Sequence, residues 1–68
     1  MSAERIIEAL TEKRRELGLT QKDVAERMGC HPNFVQVFEY HKREPRLSTI
    51  ERYADALGLE VQLTLAPK

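Results

Sequence analysis

Asn33, Gln36, Val37 and Tyr40 fall on one side of a short helical pattern whose other side carries Val35 and Phe38 at i, i+3 spacing. Carboxamides placed like Asn33 and Gln36 can each give a donor and an acceptor to the edge of an adenine, and Val37 can meet a thymine methyl. The chemistry on offer is recognition by hydrogen bond and shape, with the short early side chains nearest a groove floor. Bond-making chemistry is not in view. The chain has no phosphate-binding glycine loop, no nucleophile beside a base and no carboxylate pair in an evident pocket, so no catalytic residue is expected and the chain is not read as an enzyme.

Such side chains need a rigid element beneath them, and the three glycines show how the chain supplies it. Gly18, Gly29 and Gly58 each follow an apolar residue that closes a helical pattern, which is where a left-handed C-terminal cap wants glycine. The pattern predicts a first helix from about Ala3 to Leu17, with Ile6, Ile7, Leu10 and Leu17 near one stripe. A second helix begins after Thr20, an N-cap with Asp23 three residues on, and turns Val24, Ala25 and Met28 inward. The third starts at Pro32, and Phe34 on it either packs against Phe38 one turn later, the favoured reading, or lies at an outer edge. Lys42 to Leu47, with Pro45, reads as a loop; Ser48 with Glu51 reads as a capping box opening a fourth helix whose Ile50, Tyr53, Ala54 and Leu57 face the core.

Beyond Gly58 the period changes from helical to alternating: Leu59, Val61, Leu63 and Leu65 interleave with Glu60, Gln62 and Thr64. A lone strand needs a ladder partner, and the economical source is the same strand of a second subunit, so Val61, Leu63 and Leu65 are expected in an antiparallel ribbon across a dimer axis. The alternative is a tail whose leucines pack on the domain's own core. The expected fold is therefore all-α, a compact four-helix domain over residues 1–58, with residues 59–68 as a short C-terminal β-strand and dimerisation element.

Composition sets the outer limits. Sixty-eight residues, 41% hydrophobic and 32% charged, suit one small folded domain. No apolar run approaches the ~20 residues that span a bilayer, and the charged N-terminus is unlike a signal peptide, so no membrane partner and a cytoplasmic location are expected. Cys30 is the single cysteine; with His31 and His41 it makes a poor tetrahedral set, and neither metal nor cofactor is expected. Eleven Lys and Arg balance eleven Asp and Glu, which argues against a broad grip on nucleic acid, but Lys13, Arg14 and Arg15 cluster in one place and Lys42, Arg43 and Arg46 in another. Modest affinity per subunit and dependence on paired half-sites follow.

The stretch from Lys13 to Gly58, KRRELGLTQKDVAERMGCHPNFVQVFEYHKREPRLSTIERYADALG, resembles the helix-turn-helix family of lambda-type phage repressors and Cro, the Xre family. The likeness rests on LGLTQ, Ala25, Gly29, Val35 with Phe38, Glu39, the basic loop with Pro45 and the closing ALG. It implies a transcription factor, usually a repressor, that binds an inverted repeat in double-stranded DNA as a homodimer through the third helix, with Asn33, Gln36, Val37 and Tyr40 toward the bases. Gln21 is assigned to the DNA backbone by the resemblance; Lys42, Arg43 and Arg46 are assigned there by charge and position, while Lys22 and Arg27 are as readily solvated. The resemblance also implies a structural ion pair between Arg14 and Glu39. His31 stands where a capping Ser or Thr is usual, and His41 where glycine usually ends the helix, which weakens the expected caps. Autoregulation of a small operon is the leading expectation, in a phage, antitoxin or defence-related setting. The competing reading is a protein-interaction module, such as an antitoxin binding a toxin encoded in the same operon.

Overall fold

A computed structural model describes residues 3–41 and 44–67, with His41 described for its backbone alone. Four helices follow in order: α1 (Ala3–Glu16), α2 (Gln21–Met28), α3 (Pro32–His41) and α4 (Leu47–Ala56). α2 sits at the centre, packed on α3 and α4, and α1 closes the other side against the same two. The core is built where the four apolar faces meet: Ile7, Val24, Ala25, Val35 and Tyr53 have no exposed surface. Ala25 is the small residue that lets α2 approach its neighbours closely.

Each helix end has a local cause. Thr20 Oγ1 accepts from the Asp23 amide at 3.0 Å, and Asp23 Oδ2 accepts from the Thr20 amide at 2.9 Å, a reciprocal box with aspartate in the place glutamate usually takes. The Thr20 backbone amide, and then its hydroxyl, hold the Asp23 carboxyl below its ordinary range. At the other end of α2, Gly29 adopts φ +72° and donates to the Glu26 carbonyl while Cys30 donates to that of Ala25, the paired bonds of a Schellman cap. The same paired pattern closes α1 at Gly18 and α4 at Gly58.

Four expectations are corrected. α1 stops at Glu16, and Leu17, whose amide still donates to the Lys13 carbonyl, lies 52% exposed at the Gly18 cap and outside the buried stripe. Ser48 does not cap α4: the Arg46 carbonyl accepts from both Thr49 and Ile50, so the helix begins at Leu47 and Ser48 is already inside its first turn. Phe34 is exposed, and Phe38 stacks on Tyr53 of α4, centroids 5.1 Å apart, in its stead. Residues 59–67 form no strand; a single chain offers them no ladder partner. Within that segment Val61 packs against the core, Leu63 lines the edge of an apolar groove with Ile6 and Leu10 while staying 59% exposed, and Leu65 is 96% exposed.

Among the described residues no helix is long and apolar enough to cross a membrane.

Candidate nucleic-acid interface

The recognition candidates are placed by what anchors the back of α3. Val35 is buried completely and Phe38 lies on the Tyr53 ring, so the helix has one fixed rotation. Glu39 fixes it further. Its carboxylate accepts from Arg14 Nε at 2.8 Å and Arg14 Nη2 at 3.0 Å, from Gln21 Nε2 at 3.0 Å, and from the Tyr53 hydroxyl. Arg14 Nη1 also donates to the Leu19 carbonyl at 2.7 Å, across the α1–α2 turn. One buried carboxylate of α3 is thereby tied to α1, α2 and α4 together.

This network is electrostatically closed. Burial opposes ionisation of Glu39, but the donors from Arg14, Gln21 and Tyr53 outweigh it and hold the carboxyl below its usual range. The Glu39 hydrogen bonds raise Arg14, and burial followed by the bond to Glu39 raises the Tyr53 phenol. Among the described residues no buried side-chain nitrogen or oxygen lacks a partner.

With that face fixed, Asn33, Gln36, Val37 and Tyr40 all stand outward and exposed, Val37 by 52% and Tyr40 by 79%. Phe34, on the same helix, joins the exposed set at 45%. Gln21, Gln36 and Tyr40 line one open groove beside α1, whose far wall carries Glu8, Glu12 and Arg15. Gln21 is half-buried and spends one amide hydrogen on Glu39, so its carboxamide is held in place at the first position of α2. Arg46 is exposed and its backbone opens α4. Lys42 and Arg43 lie outside the described residues. Arg27, ambiguous in the sequence, donates to the Ala56 carbonyl at 2.8 Å, and Arg52 donates to the Met28 carbonyl; each cation serves the C-terminal end of a neighbouring helix.

Sequence reasoning missed two members of the anchor. The helical pattern places Tyr53 in the core but names no partner for its hydroxyl, although a buried tyrosine hydroxyl requires one. The family resemblance implies a DNA role for Gln21 and not its bond to Glu39. A third residue, His31, stands where the sequence predicts a weakened cap; its Nδ1 accepts from the Asn33 amide at 3.0 Å, so the imidazole itself caps α3.

Helix α2, the Gly29 turn and an outward α3 locked from behind define a DNA-binding helix-turn-helix. The chain belongs to the helix-turn-helix family of the repressor and Cro type: the family model described as "Helix-turn-helix" matches residues 10–63. Antitoxin HigA1 of Mycobacterium tuberculosis, in two strains, is 41% identical over 63 residues, covering 93% of this chain and 42% of the antitoxin. The chain thus spans about two-fifths of the length of those relatives. An uncharacterized HTH-type transcriptional regulator of Methanothermobacter thermautotrophicus is 41% identical over 51 residues, 75% of this chain and 74% of that protein. No solved structure matches.

Proposed function

We propose that this protein is a transcriptional regulator that binds an inverted-repeat operator as a homodimer, with α3 of each subunit in successive major grooves and occupancy of the promoter as the mechanism. Asn33, Gln36, Val37 and Tyr40 read base edges; Gln21, Lys42, Arg43 and Arg46 hold the sugar-phosphate backbone. The observation that carries this reading is the outward face of α3, which presents Asn33 and Gln36 beside the exposed Phe34 and Val37 and is held in one rotation by Val35, Phe38 and Glu39 behind it. The balanced charge fits a protein whose affinity depends on two correct half-sites about 34 Å apart more than on bulk phosphate attraction.

The test is fluorescence anisotropy with DNA from upstream of the protein's own gene, against scrambled competitor, over a salt series. Competitor-resistant binding with two subunits per site is expected. Weak binding indifferent to sequence would overturn the proposal. A second reading is favoured by one observation, the likeness to proteins named antitoxins: the chain also binds a toxin encoded beside it. Under that reading the neighbouring product co-purifies with this chain at fixed stoichiometry and alters operator affinity.

A further inference from the structure

We propose that His31 is a proton-sensitive positioning residue for the DNA-reading helix: its neutral imidazole caps α3, and protonation releases the cap and weakens operator recognition. The inference rests on the DNA-binding reading above, which it deepens.

The first turn of α3 leaves little choice about its amides. Pro32 has no amide hydrogen to satisfy, and the Phe34 amide donates to the His31 carbonyl at 2.9 Å. The remaining early amide, that of Asn33, donates to His31 Nδ1 at 3.0 Å. A ring nitrogen that accepts must carry no proton, so the bond selects the tautomer with hydrogen on Nε2. This is the capping geometry usually supplied by a serine, threonine or aspartate oxygen, with one difference: an imidazole gains its second proton between about pH 5 and 8, and a hydroxyl does not.

The added proton and the Asn33 amide compete for one lone pair. When the proton takes it, Nδ1 becomes a donor facing another donor, the amide is left to water, and a positive charge sits at the positive end of the helix. Both consequences act on the turn that presents Asn33, the first of the base-reading side chains. Among the described residues, the charged and titratable groups of the elements that lead into this turn are Glu26 and Arg27 in the last turn of α2, where Arg27 donates to the Ala56 carbonyl, the Cys30 thiol, and Arg52 of α4, whose guanidinium donates to the Met28 carbonyl. Among the described residues none of them forms an ion pair or hydrogen bond with the exposed His31 ring. Among the described residues, only the Asn33 amide therefore competes with solvent for Nδ1.

The experiment has a DNA-free arm and a DNA arm. Nitrogen-15 spectra of the imidazole should show the Nε2–H tautomer at pH 8, and protection of the Asn33 amide, corrected for intrinsic exchange, should fall about five-fold from pH 8 to pH 5, the size of a typical cap. Operator affinity at constant ionic strength should fall by a similar factor in the unaltered protein. His31→Ser, a cap that does not titrate, should keep the high-pH affinity and lose the pH response; His31→Ala should bind about five-fold more weakly at both pH values. An Nδ1–H tautomer, a His31→Ser variant that retains the pH response through His41 or another group, or affinity that rises on acidification because imidazolium attracts phosphate, would each overturn the inference. Absence of any specific DNA binding alongside the expected spectra would instead remove the DNA-binding reading and leave the cap itself established.

Discussion

Glu39 receives hydrogen bonds from every one of the other three helices, and the consequences differ for each donor removed. Losing Arg14 leaves a buried carboxylate without its counter-charge, so Arg14→Met should destabilise by about 3–5 kcal/mol. Tyr53→Phe keeps the ring on Phe38 and removes one hydrogen bond to a charged group, about 2 kcal/mol. The two also leave opposite signatures in pH. Glu39 has a folded-state value below its unfolded one, so its contribution is present above the ordinary carboxylate range, near pH 4, and disappears as pH falls through the depressed value. Tyr53 has a raised folded-state value, so its contribution is full below about pH 10 and is lost as pH climbs toward that value. Urea melts across pH should accordingly show the alkaline loss in the unaltered protein and a reduced one in Tyr53→Phe. An alkaline limb unchanged by that substitution would mean that Tyr53 does not couple to Glu39 as described.

Helices are placed by their ends, and the Gly29 end matters most because it aims α3. An added Cβ there would meet nothing within 4 Å, so the cost of a substitution is backbone conformation alone, since φ is +72°. Gly29→Ala should cost about 1–2 kcal/mol and lower the melting temperature of a domain this size by roughly 4–16 °C, with Gly29→Asn milder because asparagine tolerates the left-handed region. Calorimetry decides; equal melting of the unaltered protein and Gly29→Ala would contradict the cap. The glycine ends, the Thr20–Asp23 box and the buried faces of α2 and α4 were legible because each depends on residues within a turn of one another. What was illegible depended on something the local pattern lacks. Ser48 and Glu51 have the right spacing for a box, but the loop before them lets Arg46 open the helix two residues earlier. Tyr53 and Glu39 lie 14 residues apart on different helices, and their contact exists only once α3 and α4 are packed. His31 escaped notice because imidazole is not among the usual capping groups.

At the scale of the whole molecule, the part left over is the C-terminal segment. Residues 59–67 have a strand's alternation without a strand's partner, and Leu65 and more than half of Leu63 leave apolar surface exposed. Pairing of these segments across a two-fold axis would cover those leucines and supply the missing ladder, and the isologous symmetry it imposes is the symmetry of an inverted repeat. Val61 already packs on the core, so deleting the whole tail would confuse dimerisation with folding; Leu63→Glu with Leu65→Glu separates them. Like charges facing each other in the ribbon should dissociate it while the domain, whose core neither residue enters, melts as before. Sedimentation at micromolar concentration should therefore give a dimer for the unaltered protein and a monomer for the variant. Because a second half-site engaged through a linked subunit raises affinity by roughly 10²–10⁴, the monomeric variant should lose about that factor on the full operator and little on an isolated half-site. A variant that still sediments as a dimer would place the interface elsewhere on the four helices; one that is monomeric yet binds the full operator unchanged would separate DNA recognition from dimerisation altogether.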